Sequence, residues 1–485
     1  MVSQRVKPLE RILAEGSDNA HGLKRSLGPW ALTAMGIGAI IGTGIFVLTG
    51  VAAATRAGPA LTVSFVLAGI VSALAALCYS EVASKIPISG SAYTYAYATF
   101  GELLAWIIGW DLILEYALGA ATVSIGWSGY FVSLLHTVGL DLPATWVHSP
   151  FDATPGIANL PAAAIILIIT GLLIRGTRES GLVNSIIVAL KVVIVLFFLA
   201  IGVGHIDPAN YHLPAGPTTG AGGYFPFGWT GVFGGASFIF FAYIGFDAVS
   251  TTAEEAHNPS RDLPFGIIMS LAICTVLYIA VVAVLTGMVP FNQLNVASPV
   301  AFAAIHVGLS WAGFIISIGA IAGLTTVLLV MMFGQSRIIY AMGRDRLMPP
   351  WFTALHRAWR TPVTSTSFFG VLIAIAAAFT NINFVGSLTN MGTLAAFVLV
   401  SLALPQLRRK HPELRGSFTV PFGPWIIPIL SALSALFFIY NLKEGSAQLW
   451  GVPLPWLGFV VWLVLGMVIY LAYGRRNSAL AQEAR

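Results

Sequence analysis

Apolar runs of about twenty residues, the length a bilayer core demands of a helix, recur along nearly the whole 485-residue chain. Charged residues make up only 9% of it, against roughly 25% in an ordinary soluble domain. A soluble chain of this length could not cover its surface with so few charges. The runs predict twelve membrane spans, near 30–55, 59–84, 102–135, 159–175, 183–204, 228–256, 264–288, 310–341, 364–381, 386–407, 424–442 and 454–474. The third and eighth exceed what a membrane needs, which predicts tilt or helical extensions. The fold class is therefore an all-α membrane protein. Its expected organisation is an N-terminal segment 1–27, one membrane domain 28–475 and a tail 476–485.

Charge placement orients the spans. With twelve crossings, 21 of the 24 Lys and Arg residues fall on the side that carries both termini. Only Arg56 and Lys443 fall on the other side, and Lys191 lies inside a span. Basic residues accumulate in cytoplasmic loops, so both termini are expected in the cytoplasm. The net charge of +5 is thus read as contact with lipid, and nucleic acid is not expected as a partner. The polar start, up to about Lys24, lacks the apolar core of a secretory signal. The stretch after Lys85 and the tail near Arg475 read as amphipathic anchors at the membrane interface. Cys78 and Cys274 both sit in apolar runs and read as small core residues. No metal or cofactor is expected, because no His, Cys and acid cluster has ligand spacing. No span holds a histidine or a nucleophile–base constellation, so an enzyme is not expected either.

The first span reads Gly36-Ile37-Gly38-Ala39-Ile40-Ile41-Gly42-Thr43-Gly44-Ile45-Phe46. Each glycine costs a helix about 1 kcal/mol relative to alanine. A packing face is one explanation, since Gly38 and Gly42 form a small-xxx-small pair. The other is an unwound segment at Gly42-Thr43-Gly44. Freed backbone groups in hydrocarbon are tolerated only where they line a cavity or meet a ligand. The sixth span repeats the pattern: Gly245 interrupts Phe240-Phe241-Ala242-Tyr243-Ile244, and Asp247 follows at membrane depth. Broken first and sixth helices are what an inverted repeat of five plus five helices predicts, here 28–204 and 228–407, with two added helices at 424–474. A half-helix N-terminus attracts an anion and freed carbonyls attract a cation. A zwitterionic amino acid suits both. Thr43 and Gly44 N–H groups, with the Thr43 hydroxyl, are expected to hold its carboxylate. The carbonyls of Phe241, Ala242 and Ile244 are expected to hold its ammonium. Ile40, Gly42 and Gly245 complete the expected backbone site.

These motifs resemble the amino acid–polyamine–organocation superfamily. The first-span glycines match its helix-one signature. Glu254-Glu255-Ala256-His257-Asn258-Pro259-Ser260-Arg261-Asp262-Leu263-Pro264 resembles its loop after helix six, and Pro87 to Tyr95 fits the same family. Gly109-Trp110-Asp111 with Glu115-Tyr116 is similar to a bacterial form of the cationic amino acid transporter branch. The resemblance spans about residues 25–475. It implies the leucine-transporter-like inverted repeat, a cytoplasmic-membrane location and proton-coupled amino acid transport. It also implies the backbone contacts named above.

Lys191 lies eight residues into the fifth span as drawn at 183–204, roughly 12 Å deep at about 1.5 Å per residue. A charge there costs at least about 2.5 kcal/mol. One reading is a permanently paired structural lysine. The other, which the resemblance supports, is a proton-coupling lysine whose ammonium contacts the Ile40–Gly42 carbonyls and helix eight. Asp111 and Glu115 share a helix face at i,i+4. Network roles are expected for Glu115 and Asp247, and a structural one for Asp111. Met331, on helix eight, is expected to reach the substrate side chain if that helix follows the family. It offers a guanidinium no acceptor, so small neutral or hydrophobic amino acids are favoured over arginine. The rivals are a cationic amino acid or polyamine exchanger, a sodium symporter and a non-transporting sensor. Oligomeric state and any small membrane subunit are not legible in the sequence.

Overall fold

Apolar runs of this length must satisfy their own backbone groups, and helices are the way an open chain does so in hydrocarbon. A computed structural model shows which runs do. It describes residues 5–8, 27–86, 91–176, 181–357, 359, 361–414 and 416–483. Most of the basic N-terminal segment, the Pro87–Gly90 stretch and Arg178, Arg360 and Arg415 lie outside the described residues.

Among the described residues, twelve α-helices of twelve residues or more organise the rest. They are α1 (Pro29–Ile40), α2 (Leu61–Lys85), α3 (Glu102–Thr137), α4 (Leu160–Arg175), α5 (Gly181–Gly202) and α6 (Gly228–Ile239). Then follow α7 (Pro259–Met288), α8 (Ser310–Arg344), α9 (Val363–Phe379), α10 (Ile382–Lys410), α11 (Ile426–Asn441) and α12 (Leu454–Ile469). Among the described residues, eight helical stretches are long and apolar enough to cross a bilayer, and α1, α4, α9 and α11 are shorter apolar helices. Each expected span overlaps one of these. At 36 and 35 residues, α3 and α8 are the two longest of the twelve, as their runs predict. The helix α7 starts five residues before its expected span, at Pro259 instead of Pro264. Pro264 cannot bond back to Ser260, and the Ser417 hydroxyl takes that freed carbonyl instead.

Small residues set how closely the helices approach. A Cβ on Gly36 of α1 would lie 2.5 Å from the Ser270 hydroxyl on α7, and one on Gly109 of α3 would lie 2.7 Å from Met342 Sδ on α8. Indole groups fasten α12 to α3. Trp110 donates to the Trp462 carbonyl at 2.8 Å, Trp462 donates to the Trp110 carbonyl at 3.0 Å, and Trp106 donates to Gly466 at 3.0 Å. Cys78 and Cys274 are buried.

The described residues near the two ends meet, with Arg5 donating to the Arg475 carbonyl at 3.0 Å. Glu102, at the start of α3, accepts the Ser478 hydroxyl at 2.7 Å and the Tyr470 hydroxyl at 3.0 Å. The helix Ser91–Thr99 corrects the interface-anchor reading. Its Tyr93, Tyr95 and Tyr97 are buried, because they pack into the protein instead of into lipid. Fully buried Glu81, near the end of α2, accepts Lys85 Nζ at 2.8 Å, Arg408 Nε at 2.7 Å, a second Arg408 nitrogen and the Val420 N–H at 2.7 Å. Removing one partner of a buried ion pair costs about 3–5 kcal/mol. Glu81→Ala is therefore expected to lower the melting temperature in detergent by several degrees. An unchanged melt would show that the cluster adds nothing to stability.

Candidate functional site

The first span breaks at Ile41, whose ψ of 102° is extended. The chain resumes helical geometry at Thr43 (φ −57°, ψ −29°) and continues as a π-helical stretch, Gly44–Leu48. The expected unwound segment, Gly42 to Gly44, thus shifts toward the N-terminus. Thr43 and Gly44 are already the first turn of a second half-helix.

The hydrogen-bond accounting follows from that shift. Leaving the helix at Ile41 and Gly42 frees the carbonyls of Gly38, Ala39, Ile40 and Ile41. Lys191 Nζ donates to the Gly38 carbonyl at 2.6 Å, and the Tyr278 hydroxyl to the Ile40 carbonyl at 2.9 Å. Ala39 and Ile41 keep carbonyls without a hydrogen-bond partner among the described residues. On the other side, the N–H groups of Gly42, Thr43 and Gly44 have no backbone acceptor among the described residues. The Thr43 hydroxyl is buried and unpartnered beside them.

The sixth span loosens similarly. The helix α6 tightens to a 3-10 turn over Phe240–Tyr243, becomes extended at Ile244, turns through Gly245 at φ +114° and resumes as a 3-10 helix, Phe246–Glu255. The Phe241 carbonyl is not fully free, since Ile244 N–H donates to it at 3.2 Å. Asn390 of α10 caps two more, donating to the Ser237 and Phe238 carbonyls at 3.0 and 2.7 Å. The two breaks touch. A Cβ on Gly44 would lie 2.3 Å from Ala242 Cα, and one on Gly245 would lie 2.9 Å from the Ala39 carbonyl oxygen. Only glycine allows this approach.

A narrow cavity of about 20 Å³ opens between the breaks and α3 and α8. That is room for about one water, so an amino-acid-sized ligand needs the walls to part. Five predicted residues line it: Glu115, Ile244, Gly245, Asp247 and Met331. Ala39, Tyr116, Ala248, Val327 and Val330 also line it and are not among the expected site residues. Val327 could have been found from its i−4 spacing to Met331 on α8, while Val330, at i−1, carried no such signal. Ile40, Gly42, Thr43, Gly44, Phe241 and Ala242 surround the breaks without lining this cavity.

Lys191 corrects its predicted contacts. Its stem packs on α8, where a Cβ on Gly323 would meet it at 3.0 Å. Its ammonium, however, reaches Gly38 instead of the Ile40–Gly42 carbonyls. The reason is the helix ladder: Gly42 N–H would have bonded Gly38, so that carbonyl is freed, while Tyr278 already occupies Ile40. Among the described residues no carboxylate pairs with Lys191, which is 1% exposed. Glu115 and Asp247 stand on the same cavity wall. Asp111 stands apart, where a Cβ on Gly392 of α10 would lie 2.9 Å from its Oδ1, which is buried and unpartnered.

A family profile described as "Amino acid permease" matches residues 27–473. The chain is 48% identical to the "Methylthioribose transporter" of Bacillus subtilis, over 98% of both chains. It is 46% identical to that organism's "Branched-chain amino acid permease BcaP", over 99% of both. It is also 38% identical to the "Cationic amino acid transporter 4, vacuolar" of Arabidopsis thaliana, over 84% of this chain and 67% of the relative.

Proposed function

The chain belongs to the amino acid permease family, and from that premise we propose that it is a proton-coupled amino acid symporter working by alternating access. One observation carries the reading: three N–H groups without an acceptor among the described residues and an orphaned hydroxyl head the second half of span one, in contact with the break in span six. These donors suit a carboxylate. The free carbonyl of Ala39, beside Gly245, suits an ammonium. This replaces part of the expected ammonium cradle, since Phe241 is already bonded.

The proposed architecture is twelve spans in a five-plus-five inverted repeat with two added helices, in the cytoplasmic membrane. The contact between Arg5 and the Arg475 carbonyl supports an even number of crossings between them. The excess of basic residues on the side of that contact supports its placement in the cytoplasm. Lys191 is the proposed proton-coupling group, because its ammonium ties α5 to the freed end of α1.

Met331 and the two valines make that part of the wall apolar, which favours neutral side chains. The relatives include a branched-chain permease, which agrees. A second reading draws on Glu115 and Asp247. Two buried acceptors on the wall suit hydroxyl-rich or cationic cargo, and one relative is named for methylthioribose.

A thermal-shift screen of the purified protein against twenty amino acids, polyamines and methylthioribose separates these. A ligand at a hundred times its Kd stabilises by about 2.7 kcal/mol. Leucine, isoleucine, valine or alanine is expected to raise the melting temperature, and arginine is not. Stabilisation by methylthioribose or arginine alone would overturn the neutral amino acid assignment.

A further inference from the structure

Arg56 and Lys443 are the basic residues that charge placement assigns to the face opposite the termini, and the structure puts both at one turn. Lys443 Nζ lies 3.8 Å from the centroid of the Tyr440 ring. Arg56 ends the second half of span one, in the π turn Ala53–Ala57, and is only 4% exposed. Its guanidinium carbon lies 4.2 Å from the centroid of the Phe238 ring on α6. One of its terminal nitrogens donates to the Glu444 carbonyl, in the turn after α11. The next residue, Gly445, has φ +67°, and a Cβ there would lie 3.2 Å from the same guanidinium carbon. The Arg56 Nε is buried and unpartnered. A desolvated guanidinium with a donor unused is costly, so the Phe238 ring and the Glu444 carbonyl are what hold it in this seat.

Phe238 explains why it matters. Its ring reaches toward Gly386 of α10, where Leu48 of span one and Thr122 of α3 also converge. That cluster is fully buried and lies one helical turn from the Phe241–Ala242 break. Opening a path from this face requires Phe238 to leave the cluster, or α10 to leave Phe238.

We propose that Arg56 is the latch of the outer path: seated on Phe238 and bonded to Glu444, it holds span one and α6 to the turn 443–446 while the path is closed. The guanidinium must leave that seat before the cluster around Phe238 can part. A planar cation is needed, because it stacks on the ring while its edge reaches the carbonyl. This rests on the sidedness given under the proposed function, but not on the identity of the cargo.

Thr122→Cys supplies a reporter beneath the Phe238 ring, with the buried Cys78 and Cys274 as background. Labelling of intact cells by a membrane-impermeant maleimide, without substrate, is expected to run about tenfold faster with Arg56→Ala. Arg56→Lys should fall between Ala and the native residue, and Phe238→Leu should resemble Ala. Labelling in inside-out vesicles should fall or stay unchanged. Should Arg56→Ala fail to fold, Arg56→Lys and Phe238→Leu carry the same comparison. An unchanged rate from outside, or an equal rise from both faces and at the native cysteines, would overturn the latch. Such a result would leave the ligand screen, and the amino acid assignment, untouched.

Discussion

Lys191→Ala is expected to abolish accumulation driven by an inwardly directed proton gradient while leaving substrate binding largely intact. The Lys191 ammonium is bonded to the Gly38 carbonyl at 2.6 Å, and its stem lies against Gly323 of α8. Its bond therefore joins α5 to the first half of span one, next to the break. A hydrogen bond to a charged group contributes about 1.5–3 kcal/mol and a neutral one about 0.5–1.5 kcal/mol. Loss of the proton thus weakens the tie by about 1.4 kcal/mol, roughly a tenfold change in the balance between two facing states. That is enough to couple a proton to a conformational step. Alanine removes the tie in both states, so the equilibrium no longer senses the gradient. Lys191→Gln keeps a donor without a titrating proton, and is expected to allow counterflow but not uphill uptake. Proteoliposomes with imposed pH gradients, compared with counterflow at equal pH, test both. Gradient-driven accumulation that survived Lys191→Ala would remove this residue from the coupling.

The breaks were legible because glycines concentrated in a span have a cost that packing alone does not explain. Their exact register was not legible. It depends on which residue first leaves the helical ladder, and Ile41 does so although nothing in its side chain marks it. The error in the Lys191 contact has the same origin, because its partner is fixed by which carbonyl loses its donor. Tyr116 and Val330 carried no sign that they line a cavity, because that cavity is made by four segments meeting. Arg56 was visible as an exception to the charge pattern. Its seat was not, because its carbonyl partner is 388 residues away in sequence. The tyrosines after Lys85 looked amphipathic in isolation, and their burial depends on neighbours that periodicity cannot see.

The three glycines at the breaks are expected to respond differently to a single methyl group, with Gly44→Ala and Gly245→Ala losing substrate binding and Gly42→Ala keeping it. A Cβ on Gly42 meets nothing nearer than a Val327 methyl at 3.4 Å, an ordinary contact. A Cβ on Gly44 would lie 2.3 Å from Ala242 Cα, which is backbone and cannot swing aside. Overpacking of this kind costs about 1–3 kcal/mol. Gly245 suffers twice: its φ of +114° disfavours any side chain, and its Cβ would press on the Ala39 carbonyl at 2.9 Å. The left-handed conformation alone costs about 1–2 kcal/mol. Since about 1.4 kcal/mol is tenfold in affinity, both tight positions should weaken binding at least tenfold, and Gly42→Ala should stay near the native value. Larger residues at Gly42 are a different matter, because leucine would have to displace Val327 from the cavity wall. Ligand-dependent thermal shifts across the three alanine variants provide the measurement. Native-like binding by Gly44→Ala and Gly245→Ala would mean that spans one and six do not need to touch, and the donors of one would then have no reason to face the carbonyls of the other.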